Sequence, residues 1–421
     1  FCRTAPNPGG PPSMGTQASM LILFFIVFID LIGFGVIIPL LPFYAEFYQA
    51  TPATVGLVMA TYSFTQFLAA PFWGRLSDRI GRRPVLLISL AGAALSYVWL
   101  GFAESLWMLF AARAAGGAMA GNISAAFAYV ADITTRENRA QGMGVIGAAF
   151  GLGFIAGPAI GGFLAGSDPV NADFQSPAFA AAGLSAAAWI MAVVVLKESL
   201  PVEIRRKLAA QPAKKRLAMF REALGRPHLG LLILMTFLAT FVFAGLEATF
   251  AMWSRRQFGW GPEQNGYLFA FVGLLSAAIQ GGLVGRLARR FGEARLIIQG
   301  AGALAVGVLL IPFSNHIAVL IIAMAIAGYG FSIISPSLNS LISLQVGEDE
   351  QGGIMGVTRS ASTMARFTGP AWAGFLFGVL GMDWPYFGGV LVMLIVVALG
   401  FKAKKALDPA GKDSDIEKSS P

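Results

Sequence analysis

A chain of 421 residues that is 56% hydrophobic and only 12% charged, with a mean hydropathy of +0.69, is no soluble globular domain, in which roughly a quarter of residues carry charge. It reads as a polytopic membrane protein, and its net charge of +8 lies in loops between apolar runs, which suits topology and anionic lipid and argues against a nucleic-acid partner. The single cysteine, Cys2, excludes an internal disulfide framework, and two histidines, His228 and His316, lead to the expectation of no metal site.

In chain order, residues 1–19 are rich in Pro, Gly and small polar residues. They lack the charged start, apolar middle and cleavage site of a secretory signal and are expected to be disordered, with Met14 or Met20 as a candidate start. Six apolar segments follow at 20–44, 53–73, 85–103, 106–131, 142–165 and 178–196, and six more at 229–253, 263–287, 296–313, 317–344, 354–380 and 384–401. At ~1.5 Å per residue each is long enough to cross ~30 Å of hydrocarbon. The expected fold is an all-α polytopic membrane protein of 12 transmembrane helices in two six-helix bundles, 20–196 and 229–401. A basic cytoplasmic linker at 197–228 joins them, and a cytoplasmic tail occupies 402–421.

Orientation follows from the basic loops. The stretch GRLSDRIGRRP at 74–84 holds Arg75, Arg79, Arg82 and Arg83, and a charge in mid-bilayer costs ~2.5–3.5 kcal/mol or more, so this loop marks the cytoplasmic face. With it go Arg136 and Arg139, the run from Lys197 to Arg226, then Arg286, Arg289, Arg290 and Arg295, and Lys402 to Lys418. The opposite face holds only Arg255 and Arg256. The acidic connection with Glu348, Asp349 and Glu350 falls inside, where acids weigh little. Both termini are therefore expected in the cytoplasm.

The halves repeat. Met143, Gly144, Val145, Gly157, Pro158, Ala159, Gly162, Phe163, Leu164 and Gly166 recur at a constant offset as Met355, Gly356, Val357, Gly369, Pro370, Ala371, Gly374, Phe375, Leu376 and Gly378. The loop motif returns in degraded form as GRLARRFGEAR at 285–295. Parallel repeats about an axis along the membrane normal imply a transporter with its substrate site between the halves near the midplane.

The motif GRLSDRIGRRP, Arg113 in LFAARAAGGAMAG and the run GLGFIAGPAIGG together resemble the major facilitator superfamily. Within it the chain is similar to the twelve-helix drug:proton antiporters, the tetracycline-efflux branch above all, over 20–401. The resemblance implies that the Gly-Pro motif of helix five belongs to exporters and that the halves meet at the cytoplasmic loop. Two positions depart from that branch: Ser96 stands before Tyr97 where those exporters carry an aspartate, and helix nine has no acid around Gly302. The stretches around Glu247, Arg359 and Arg366 also resemble organic-anion and drug carriers of animals.

Physical reasoning singles out the charged and polar residues inside the spans. Asp30 lies ~15 Å into helix one, where desolvation suits a group that binds and releases a proton; the alternative is a permanently paired structural acid. Arg113 reaches similar depth and is expected to pair with Asp30, or else to snorkel to the interface. Arg359 and Arg366, two turns apart, share a helix face that binds an anionic substrate or neutralises Glu247. Gln66, Asn122, Gln280 and Asn339 line the cavity or hydrogen-bond between helices. At the cytoplasmic end, Asp78 facing the start of helix eleven, with Arg79, Arg82 and Arg83 on acids and headgroups, forms a gate latch. Gly74 and Gly81 allow its tight turn; the alternative is a solvated topogenic loop. Gly153, Gly157, Gly161 and Gly162 with Pro158 form a smooth hinge or packing face.

The function these readings define is a proton-coupled antiporter exporting drug-like or amphipathic small molecules, tetracycline-like ones among them, by alternating access. Its partners are the substrate, protons and lipid; no cofactor is needed beyond the proton gradient. The expectation is a monomer in a bacterial inner membrane. An exporter of a specific anionic metabolite is the alternative, and a non-transporting membrane sensor a remote one. No nucleophile with a base, metal cluster or phosphate loop suggests an enzyme.

Overall fold

The structure, a computed structural model, describes residues 14–135, 138–210 and 216–407. Expectations for residues 1–13, Arg136 and the tail beyond 407 lie outside the described residues. The elements are α1 (Met14–Ile37), α2 (Leu41–Phe47), α3 (Pro52–Ile80), α4 (Arg82–Gly101), α5 (Leu106–Ala118), α6 (Asn122–Ile133), α7 (Arg139–Ala165), α8 (Gln175–Val195) and α9 (Val202–Ala210). They continue with α10 (Arg216–Gly225), α11 (Pro227–Phe258), α12 (Pro262–Ala278), a π-helical turn (Ile279–Leu283), α13 (Val284–Phe291), α14 (Glu293–Leu310), α15 (Ile317–Leu344), α16 (Glu348–Val379) and α17 (Trp384–Leu407). No strand occurs among the described residues. Residues 14–19, expected to be disordered, already belong to α1.

Among the described residues ten helices are long and apolar enough to cross a membrane. The other two expected spans are present in altered form. The fourth is broken at 119–121 into α5 and α6, and Trp73 Nε1 donates to Ala118 O at 2.6 Å, satisfying a carbonyl that the break leaves open. The eleventh is α16, an unbroken 32-residue helix whose polar run TRSASTMARFT dilutes its hydropathy. Its five hydroxyls, those of Thr358, Ser360, Ser362, Thr363 and Thr368, donate to the carbonyl one turn earlier, so the polar run is satisfied without water.

The chain forms two compact units. The first gathers the described residues of Phe1–Ala50, Thr61–Pro212 and Ser254–Gly273; the second those of Thr51–Ala60, Ala213–Trp253 and Leu274–Pro421. The units therefore follow the covalent halves except for the start of α3 and the segment 254–273, which runs from the end of α11 through most of α12. In the first, α1 packs on α7 and α8, and α4 on α5, α6 and α8. Its core is Leu23, Ile26, Leu31, Leu86, Leu90 and Tyr129, with Ala188 and Ala192 of α8 giving the close approach. In the second, α14 packs on α15 and α17, and Phe243 stacks on Phe331 at 4.0 Å.

Between membrane helices apolar burial supplies little net drive, so packing rests on small residues that let backbones meet. The glycines of α7 do this. A Cβ on Gly157 would lie 2.6 Å from Gly35 Cα and 2.8 Å from Ile32 O; Gly153 lies against Leu31, Gly161 against Val36, and Gly162 against Pro262 and Gly266. Pro158 sits inside α7. The second unit repeats the scheme: Gly369 lies against Phe241 and Gly245, and Gly374 against Pro52 and Gly56. The sequence repeat is thus also a repeat of helix seams. Large side chains such as Leu95, Phe163, Val194 and Leu391 point outward, 64–75% exposed, as lipid-facing groups do.

Candidate functional site

Asp30 is buried in the first unit, 7% exposed. α1 places it opposite the first residue of α6 and the middle of α8. Asn122 Nδ2 donates to one of its carboxylate oxygens and Ser185 Oγ donates to the other at 3.0 Å. Asn122 stands there because the α5–α6 break turns the start of α6 inward. No cation lies within ion-pairing distance of Asp30 among the described residues, so the expected pairing with Arg113 is not what the structure contains. Both of its partners are neutral. A serine and an amide can donate to a carboxylate or accept from a carboxylic acid, so the pocket can hold either protonation state.

Arg113 on α5 is 5% exposed and lies over the ring of Tyr62, 4.5 Å from its centroid. It does not snorkel, and its Nε finds no hydrogen-bond partner. Around it Tyr62, Ser96, Tyr97, Leu100, Ala112 and Gly116 line a small cavity.

In the second unit Glu247 of α11 meets Arg366 of α16, Oε2 to Nη1 at 3.5 Å. That distance makes a loose ion pair, with Arg366 36% and Glu247 12% exposed. Arg359, two turns earlier on α16, is exposed. Gln66 and Asn339 are half-buried, and Gln280 is exposed on the π-helical turn beside Gly281 and Gly282. Such turns widen a helix locally. Near that turn Ser332 donates to Ser276 at 2.7 Å, and Gln299 donates to Tyr329 at 2.9 Å.

The loop motif closes around Arg82 rather than around its exposed arginines. Arg82 is buried and donates to Asp78 at 2.6 Å, to Asp132 at 3.0 Å and to Ser77 at 3.1 Å. Glu198, just after α8, accepts from the backbone N–H groups of Arg82 and Arg83 at 2.9 and 3.2 Å and so caps α4. Gly81 has φ +109 and lies against the Glu198 carboxylate, leaving no room for a side chain. Gly74, expected to serve the turn, lies within α3 instead. Arg83 reaches Val193 O at 2.7 Å, whereas Arg75 and Arg79 are exposed. Arg82→Ala is expected to cost about 3 kcal/mol, the low end for a broken buried pair because Asp78 is 44% exposed. Arg75→Ala should cost under ~0.5 kcal/mol. Melting temperatures in detergent check both.

Both exceptions to the charge pattern have partners. Arg255 and Arg256 share Glu46, at 3.0 and 3.3 Å. Arg226 grips Glu350 at 2.6 Å and holds its carboxyl below the usual carboxylate range. Sequence reasoning missed Tyr62, Ser185, Asp132, Glu198 and Glu46 as site or clasp residues. Only the acids Asp132, Glu198 and Glu46 carried a signal, being charges at or just beyond helix ends.

Two pseudo-repeated helical units, built on apolar spans with charged side chains inside, are the architecture of a multi-pass membrane transporter. The family model for the Major Facilitator Superfamily matches residues 23–370 and 281–419, and the chain belongs to that family. It is 32% identical over 377 residues to the tetracycline resistance protein, class C, of Escherichia coli, covering 88% of this chain and 92% of that one. It is 29% identical over 384 residues to multidrug resistance protein 2 of Bacillus subtilis, covering 90% and 93%. Among solved structures it is similar to the human organic anion transporter MFSD10 (TETRAN), with 28% identity, a TM-score of 0.71, and coverage of 93% of this chain and 100% of that one.

Proposed function

We propose that the protein is a proton-coupled antiporter that exports drug-like, amphipathic small molecules by alternating access. The observation that carries this reading is Asp30: a buried carboxyl whose partners, Asn122 and Ser185, are neutral and serve either protonation state. An acid locked to a cation would hold its charge through the cycle; Asp30 is free to gain and lose a proton as its access to water changes. Glycine seams without side chains let α7 slide on α1 and α16 on α11 without repacking, and Pro158 and Pro370 supply the bending points. The Arg82 clasp keeps the loop motif folded, leaving half-exposed Asp78 at the cytoplasmic gate. Similarity to proteins of bacteria named for tetracycline and multidrug resistance supports drug-like substrates and a bacterial inner membrane as the setting, and the clustering of basic residues in alternate connections supports both termini in the cytoplasm. Protons and lipid are the remaining partners, and the working unit is the monomer.

A second reading, export of an organic anion, is favoured by the loose Glu247–Arg366 pair and by the similarity to an organic anion transporter. Arg366, the more exposed partner and 3.5 Å from Glu247, is placed to turn to a substrate carboxylate with bidentate geometry. The test is efflux from proteoliposomes under an imposed pH gradient, screening tetracyclines, cationic dyes and organic anions. Gradient-driven movement of tetracycline or dye, retained in Arg366→Ala, supports the drug exporter. Movement of anions alone, lost in Arg366→Ala, replaces it with the second reading. No flux of any compound would overturn both.

A further inference from the structure

Among the described residues of the first unit two arginines are buried, Arg82 and Arg113, and they are treated in opposite ways. Arg82 is surrounded by Asp78, Asp132 and Ser77. Arg113 has no carboxylate within ion-pairing distance and no hydrogen bond among the described residues, although it is 5% exposed and its Nε is sealed from solvent. The buried acid of the same unit, Asp30, has its oxygens engaged by Asn122 and Ser185. A guanidinium cannot shed its proton, and a ring face compensates part of a buried charge and no more. Something negative belongs beside it.

We propose that Arg113 binds a small monovalent inorganic anion of halide size in the cavity it lines with Tyr62, Ser96, Tyr97, Leu100, Ala112 and Gly116. The cavity has about 10 Å3 of room, the space of one water-sized occupant. A chloride fits with slight yielding of the walls, whereas a carboxylate or phosphate group does not. A water would fill the space and leave the charge uncompensated. The walls suit the guest: Tyr62 covers one face of the guanidinium, and Gly116 lacks the Cβ that would stand 2.9 Å from Ser96 Oγ. The Ser96 hydroxyl donates to Ala93 O at 2.8 Å, so the anion is held by Arg113 and not by Ser96. The ion is a counter-charge built into the bundle, whatever the protein transports.

The full chain purified in detergent is heated in sodium chloride, sodium bromide or sodium gluconate at equal ionic strength, and 35Cl line broadening reports binding directly. Chloride and bromide should raise the melting temperature by a few degrees over gluconate, increasing with the logarithm of halide concentration, while the line broadening gives the half-saturating concentration. Ser96→Asp, which sets a carboxylate in the cavity, should remove both the halide response and the line broadening. Gly116→Ala, which narrows the cavity, should raise the half-saturating chloride concentration at least about tenfold, the effect of ~1.4 kcal/mol. Equal melting temperatures in chloride and gluconate for the unaltered protein would overturn the proposal, as would an undiminished halide response in Ser96→Asp. If Ser96→Asp does not fold, an unchanged half-saturation in Gly116→Ala overturns it as well.

Discussion

Asp30→Asn should abolish pH-gradient-driven efflux, to the background of empty vesicles, while the protein still folds and reaches the membrane. The substitution keeps size and keeps an amide oxygen and nitrogen where Asp30 meets Ser185 and Asn122, so packing survives. What it removes is the ability to carry a proton. If the carboxyl couples the proton to substrate, accumulation against a gradient disappears, but exchange of substrate for substrate, which needs no proton, continues. Everted vesicles that acidify inside give the first rate, and counterflow in proteoliposomes without a pH gradient gives the second. Full gradient-driven efflux in Asp30→Asn would remove Asp30 from coupling. Loss of exchange as well would make it a binding or structural residue instead.

Gly157→Val should be the most damaging of the seam substitutions. Gly157 meets backbone, not side chains: its Cβ would sit 2.6 Å from Gly35 Cα and 2.7 Å from Gly35 C. No rotamer change relieves such a contact, so α7 and α1 must part along their length. Overpacking a well-filled core costs ~1–3 kcal/mol, and this case belongs at the top of that range because two backbones must move. Transport should be lost, and the melting temperature should fall by several degrees. Gly183→Val on α8 is the control, since nothing lies within 4 Å of its Cβ; it should leave both unchanged. Equal effects at the two positions would show that the seam tolerates width and that its glycines are not what fixes the approach of α1 and α7.

Much of this architecture was legible because a membrane imposes simple rules on sequence. Spans must be apolar for about 20 residues and internally hydrogen-bonded, so α1, α11 and α15 show themselves without any tertiary information. The glycine register of α7 reappears in α16, so the seams at Gly157 and Gly369 were visible as a repeated pattern before either contact was known. Even the burial of Asp30 follows from its place near the middle of an apolar run.

What stands beside each buried charge did not follow. Depth along a helix is set by the count of residues at ~1.5 Å each, but direction around it depends on how neighbours pack, and that is a property of the whole bundle. Asp30 and Arg113 share a depth and still do not pair, because the break before Asn122 turns an amide toward the acid and the close approach of α1 to α8 brings up Ser185. Likewise four arginines in the loop motif look alike in sequence. Only Arg82 is buried, because Gly81 turns the chain so that Asp132 and Glu198, far along it, can close over that one position. Composition and periodicity determined where the apolar spans run; the angular setting of the helices decided which charges found partners and left Arg113 without one.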